Sequence, residues 1–343
     1  MRHSKQIPGT LITLMRLTLL PERLILESRP DRSLLESALG AGVPLLHSCR
    51  GGSCGACSAQ LVTGQVAYPH GAGLGLSDAE RAAGQILLCR AHPTADVEVV
   101  VRTVRPAAQV EIRRLPCRVE RLERLSPEVL GVHLRLPVIE PFCFTAGQHV
   151  DLILADGTRR AYSLAALPSS AARLELHVAR VEGGRVSGAL FGMIAPGAVL
   201  AIEGPFGALE PPSPTGPPLV FVAGGTGYAP LRALLLALIE AGWERPTRFY
   251  FGVRRAVDLY ADHELRAFAA QYAHLHYVPV CEDGQGPADA RCGRVHEAVL
   301  LDLLGPTVPE VYAAGPSLMI AALRLGLLER GLPMTQFYAD AFG

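Results

Sequence analysis

Four of the eight cysteines in this 343-residue chain carry its most chemically specific spacing. Cys49, Cys54 and Cys57 form the pattern C-x4-C-x2-C, and Cys89 follows at a distance. Three thiolates from one tight loop and a fourth from elsewhere suit the coordination of two irons in a 2Fe–2S cluster. Gly51, Gly52 and Gly55 let such a loop wrap its contents and bring backbone N–H groups to the sulfurs. Three other chemistries compete for these residues. Disulfides need an oxidising compartment. A zinc site built from Cys54, Cys57, Cys89 and His92 leaves Cys49 and the loop glycines without a role. A Rieske centre needs a His two positions after a Cys of its first pair, where Gly51, Ala56 and Ala59 stand. Cys117, Cys143, Cys281 and Cys292 share no spacing and read as ordinary thiols.

A second chemical signal is Gly224-Gly225-Thr226-Gly227-Tyr228-Ala229-Pro230, which joins an apolar β-rich run to an apolar helical one. A glycine turn between strand and helix is an anion site, because free N–H groups and the helix dipole face the phosphate. It is not the G-x-G-x-x-G of the common dinucleotide fingerprint.

Three stretches of different pattern must position these groups. The first, to about residue 106, reads strand (10–20), strand (24–27), helix, glycine-rich loop, and strands at 60–66 and 97–101. Ser33 is placed to cap the helix, with Glu36 at its third position and Gly40 or Gly42 at its end. The middle stretch holds short alternating runs at 117–123, 129–136, 149–154, 161–164 and 174–180, which predict an antiparallel barrel. Proline-rich residues 211–218 read as a linker. The last stretch alternates strands (219–223, 248–251, 275–280, 310–314, 336–338) with helices (230–241, 262–271, 296–304, 317–330). That alternation predicts a doubly wound parallel sheet. The expected domains are therefore 1–108, 109–212 and 213–343.

Composition narrows the function. The formal net charge is zero, with 32 basic and 32 acidic residues, so no global field attracts nucleic acid. Hydrophobic residues make up 49% and charged residues 19%, which favours folded domains over disorder. No apolar run reaches the ~18–20 residues of a membrane span. The apolar stretch after Arg2 and Lys5 is broken by Arg16 with no small-residue cleavage site behind it, so a cytoplasmic location is expected.

The Cys49–Cys89 segment resembles a plant-type ferredoxin domain of β-grasp fold. The pairing of Gly147-Gln148-His149-Val150-Asp151-Leu152 with Arg160-Ala161-Tyr162-Ser163 resembles the flavin-binding barrel of the ferredoxin–NADP reductase superfamily. The resemblance implies that Arg160 holds a pyrophosphate, Tyr162 stacks on the isoalloxazine and Ser163 hydrogen-bonds its reactive nitrogen. Val178, Gly184, Arg185, Val186 and Ser187 resemble the family's second flavin segment, a small-residue loop at a helix N-terminus. Gly224, Gly225, Thr226, Gly227 and Pro230 match its nicotinamide-nucleotide loop. Gly315 and Pro316 follow Ala314, where the family usually has Cys, and Phe342 lies in an acid-x-aromatic motif begun by Asp340. Phe342 is thereby implied near the flavin, and Arg254 beside the adenosine ribose, with NADH favoured over NADPH.

Over the whole chain the resemblance implies a reductase that takes a hydride from NAD(P)H onto FAD and passes single electrons through the 2Fe–2S cluster to a protein acceptor. Residues 115–119, 311–320 and 337–342 resemble the CDP-6-deoxy-glucoseen reductase group, whose members share this organisation with oxygenase electron-transfer components. The implied acceptor is an oxygenase component or a CDP-sugar dehydratase. A redox-sensing protein that keeps the cluster without turnover is the third reading, prompted by Ala314.

Overall fold

The computed structural model describes residues 14–342, apart from 44, 46, 48, 102–110, 139–141, 169–171, 208, 210 and 304–307. Expected strand residues 10–13, the 108/109 boundary and helix residue 304 lie outside the described residues. The chain divides into two compact units, Met1–Ala108 and Gln109–Gly343.

The first unit is a β-grasp. Its elements are β1 (Met15–Leu20), β2 (Leu24–Ser28), α1 (Leu34–Gly40), β3 (Ser58–Thr63), β4 (Val66–Ala67), α2 (Asp78–Ala82), β5 (Gln85–Leu87), β6 (His92–Pro93) and β7 (Val97–Val100). The main sheet runs β2-β1-β7-β3-β5, and β4 pairs with β6. Ser33 and Glu36 form the capping box expected of them, which fixes where α1 starts. Leu34 and Leu35 then turn inward onto Leu17, Leu19, Val97 and Val99. Helix α2 was not expected, although Ser77 and Glu80 build an identical box.

The second unit begins with an antiparallel barrel: β8 (Arg113–Ser126), β9 (Val129–Arg135), β10 (His149–Ile153), β11 (Arg159–Ser163), β12 (Arg173–Ala179), α3 (Arg185–Gly192) and β13 (Val199–Phe206). The strand order is β11-β10-β13-β8-β9-β12. A bridge between Leu164 and Leu176 joins the two edges and closes the barrel. Strand β8 is longer than expected at both ends. Leu115, Cys117 and Val119 point inward, while charged neighbours alternate outward. Strand β13 was missed because Gly204-Pro205 reads as a turn; in the barrel it pairs with both β8 and β10.

The chain continues through β14 (Leu219–Gly224), α4 (Tyr228–Glu240), β15 (Thr247–Val253), α5 (Asp262–Gln271), β16 (Leu275–Cys281), β17 (Arg291–Cys292), α6 (Val295–Asp302), β18 (Glu310–Pro316), α7 (Ser317–Glu329) and β19 (Phe337–Phe342). All pairings in the sheet β17-β16-β15-β14-β18-β19 are parallel. The strand order reverses at β14, so a crevice opens at the carboxyl ends of β14 and β18. Residues 211–218 form no regular element. Buried Arg245 nevertheless fastens them, donating to the carbonyls of Ser213 and Pro217 and pairing with Glu310 at 2.8 Å.

One guanidinium ties the barrel to this sheet. Arg232 of α4 donates to the Ala165 carbonyl at 2.7 Å, two residues past the end of β11. It also pairs with Glu264 of α5 at 2.8 Å and with Glu175 of β12 at 3.4 Å. Burial works against its charge, but the Glu264 hydrogen bonds and the two carboxylates prevail and raise its pKa. Tyr228 donates to Glu264 at 2.5 Å. His177 sits between Glu175 and the Tyr260 hydroxyl, 3.2 Å from each, and stacks on Tyr228. Leu209 and Ala146 of the barrel enter the core beneath α4. Replacing Arg232 with Met strands two carboxylates and a carbonyl, so it should destabilise the second unit by about 3 kcal/mol. Urea unfolding checks this, and Arg232→Met with Glu264→Gln should recover part of the loss.

Candidate cluster and nucleotide sites

The cluster loop runs between α1 and β3, where backbone conformation decides which way each thiol points. Gly52 and Gly55 adopt positive φ of 81° and 74°, as does Arg50 at 49°. A Cβ on Gly52 would meet the Arg90 side chain at 2.7 Å, so the loop also needs glycine for closeness. The four thiols come together as two pairs: Cys54 hydrogen-bonds Cys49, and Cys57 hydrogen-bonds Cys89. The Ser53 amide donates to Cys49 Sγ at 3.3 Å, and the Ala56 amide to Cys54 Sγ at 3.4 Å. The Cys54 thiol, with backbone amides of Cys54, Ser53 and Gly51, holds the Cys49 thiol down to about 5.

Two pairs of soft donors, with N–H groups aimed at sulfur, fit a two-iron cluster that takes two thiolates per iron. A zinc site built from Cys54, Cys57 and Cys89 would need His92 as its fourth ligand. His92 is turned instead to the Pro30 carbonyl, 3.1 Å away. All eight cysteines are free. Burial pushes the Cys117 thiol up to about 12 and the Cys281 thiol up to about 11, which suits inert packing groups.

In the second unit, Arg160, Tyr162 and Ser163 lie on β11. Arg160 is exposed and meets no carboxylate among the described residues. Tyr162 is half-buried against the barrel core. Ser163 Oγ donates to Asp340 Oδ2 of β19 at 3.2 Å, which brings the barrel strand to the carboxyl edge of the parallel sheet. Gly184 precedes α3 without any side-chain cap, so the first amides of that helix stay available to a phosphate. Four predicted residues contribute differently from their side-chain chemistry. Val178 and Val186 are buried in the barrel core and offer only backbone. The Arg185 guanidinium pairs with Asp156. Ser187 Oγ accepts from the Val181 amide and braces the turn before α3.

The glycine loop sits at the switch point. Gly224 and Gly315 abut backbone to backbone, and a Cβ on Gly315 would meet Gly224 Cα at 3.1 Å. A Cβ on Gly227 would fall 1.9 Å from the Ala314 carbonyl. Gly225 has a positive φ of 54°, and a Cβ there would meet nothing within 4 Å. Thr226 lies beside it, and Pro230 is buried in the first turn of α4. Across β18 and β19, Ala314 stands opposite Asp340 and Pro316 opposite half-buried Phe342. Gly225, Ser163, Pro316 and Phe342 thus converge on one edge. Arg254 is exposed at the end of β15, whereas Arg255 pairs with Asp258. Sequence reasoning missed the Arg232–Glu264–Glu175 group; the available signal was an arginine inside an apolar helix, which must find partners once buried.

Comparison with known proteins matches residues 17–94 to a 2Fe-2S iron-sulfur cluster binding domain. Residues 116–210 match an oxidoreductase FAD-binding domain, and 221–324 an oxidoreductase NAD-binding domain. The CDP-6-deoxy-L-threo-D-glycero-4-hexulose-3-dehydrase reductase of Yersinia pestis is 32% identical, over 94% of this chain and 96% of its own. Reductase component 2 of a Comamonas terephthalate 1,2-dioxygenase is also 32% identical, over 91% and 93%. The crystal structure of the Amycolatopsis cytochrome P450 reductase GcoB superposes with a TM-score of 0.71 at 30% identity, covering 96% of this chain and 98% of that one. No helix among the described residues is long and apolar enough to cross a membrane. With 2Fe–2S, FAD and NAD domains on one polypeptide, the chain belongs to the family of iron–sulfur flavoprotein reductases within the ferredoxin–NADP reductase superfamily, which pass electrons to a partner.

Proposed function

We propose that this reductase draws on NADH in the cytoplasm and serves an oxygenase component. The observation that carries the electron-transfer reading is the coexistence of a paired-thiol cradle and a glycine-lined switch point on one chain. The oxygenase assignment is supported by the Comamonas dioxygenase reductase and the Amycolatopsis cytochrome P450 reductase. A CDP-sugar dehydratase is the second reading, favoured by the Yersinia relatives. Functional segments 1–108, 109–212 and 213–343 would carry the three cofactors in turn.

The residues divide the work. Cys49, Cys54, Cys57 and Cys89 hold the cluster. Arg160 and the amides after Gly184 bind the flavin pyrophosphate, and Tyr162 packs on the ring. Gly225, Thr226 and the start of α4 bind the coenzyme diphosphate, with Gly224, Gly227, Gly315 and Pro316 shaping the crevice. Ser163, held by Asp340, orients the flavin's reactive edge, and Phe342 occupies the nicotinamide side and excludes water. Arg254 meets the adenosine ribose. FAD held by these residues would supply the conversion between two-electron hydride chemistry and the single electrons that a 2Fe–2S cluster takes. Alanine in place of cysteine at position 314 removes a thiol from this crevice, so Ser163 and Asp340 carry the polar part of the positioning.

Three substitutions test this division. Cys54→Ser should abolish cluster-dependent acceptor reduction while NADH still bleaches the flavin; equal survival of both would remove the cluster from the path. Gly225→Ala should leave flavin content intact and weaken NADH binding by at least about tenfold, since the methyl group enters the space given to the diphosphate. Gly227→Ala should instead lower the unfolding midpoint, because its methyl overlaps the Ala314 carbonyl and costs about 2 kcal/mol. Fluorescence titration with NADH and thermal melts separate the two glycines.

A further inference from the structure

The rim of the cluster loop has an unusual charge pattern. No Asp or Glu occurs between Glu36 and Asp78, a span that includes three of the four cluster cysteines. The flanking acids are occupied: Glu36 and Glu80 close the capping boxes of α1 and α2, and Asp78 pairs with Arg81. Two guanidinium groups stand at the rim. Exposed Arg50, next to Cys49, touches His47 Nε2 at 3.2 Å. Arg90, next to Cys89, lays its stem over Gly52 and donates to the Gly71 carbonyl at 2.9 Å. Neither meets a carboxylate among the described residues.

A second loop is docked against this rim. The Gly75 amide donates to the Gly52 carbonyl at 2.7 Å. A Cβ on Gly73 would meet the same carbonyl at 2.4 Å, so the two backbones are in direct contact. Leu74, between these two glycines, is left 66% exposed. An apolar side chain held out by a fixed loop, beside two arginines without acidic partners, has the make-up of an interface centre with a cationic border.

We infer that the face formed by Arg50, Arg90 and Leu74 docks the electron acceptor, and that the acceptor presents an acidic protein surface around an apolar contact. The inference rests on the assignment of the four cysteines as cluster ligands. An acidic surface would be steered to the cluster and held at the distance electron transfer needs, with a rate that falls as salt screens the charges.

The test uses the complete holoprotein and one acceptor in two charge states: cytochrome c in its native cationic form, and cytochrome c with its lysines succinylated. Rates through the cluster are taken as the excess over the Cys54→Ser chain. At low salt the succinylated form should be reduced faster, and the difference should vanish as ionic strength rises. Arg50→Glu should slow the succinylated form by about fivefold or more and speed the native form. Its flavin should still be bleached by NADH as in the wild type. Leu74→Ala should slow both forms without altering the salt dependence. Equal rates for the two charge states, or an Arg50→Glu chain that treats them as the wild type does, would overturn the proposal. A wild-type cluster that NADH never bleaches would instead defeat the functional reading beneath it.

Discussion

The arrangement of the second unit depends on a single buried charge with more partners than its own helix can supply. Arg232 leaves α4 one turn after the glycine loop and reaches the carbonyl just beyond the strand of Tyr162 and Ser163. An ionic group at that depth is tolerated only if its donors are used, and Glu264, Glu175 and Ala165 use them. Glu264 lies on α5, Glu175 on β12, and Ala165 just past β11. Holding the guanidinium therefore holds α4, α5, the end of β11 and β12 in one geometry. Hydride transfer between two separately bound cofactors depends on such fixed separation, since small misplacements cost large factors in rate.

Close backbone approach is the second constraint, and it acts where side chains would intrude. Gly224, Gly227 and Gly315 let β14, its turn and β18 meet at the switch point, while Gly225 alone leaves room for a ligand. The cluster loop follows the same logic on a smaller scale. Gly52, Gly73 and Gly75 pack backbone on backbone, and the space saved brings amides to the sulfurs. In both places the glycines serve contact as well as conformational freedom.

The cluster and the parallel sheet were legible in the sequence because their signals are local. Thiol spacing, the strand–glycine–helix junction and the Ser33–Glu36 cap each lie within a few residues of their effect. Strand β13 was not legible, since Gly204 and Pro205 read as breakers and its partners β8 and β10 are remote in sequence. Helix α2 was legible in principle from Ser77 and Glu80, but it buries no apolar face that periodicity would reveal. At the sites, the directions in which side chains point were not legible. Val178 and Val186 face the core and Arg185 faces Asp156, because the resemblance to a motif does not report which atoms of a residue point to the ligand. The Arg232 network is wholly tertiary and had only a charged residue in an apolar helix to announce it.

The central claim is that electrons enter from a nicotinamide coenzyme and reach the paired cysteines by way of the flavin. An anaerobic absorbance titration of the purified protein with NADH, run beside NADPH, tests it most directly. The flavin and iron–sulfur bands should bleach together within about one to two equivalents, because three electrons fill both centres and each coenzyme brings two. A spectrum in which both chromophores are present and neither coenzyme changes them would contradict the account.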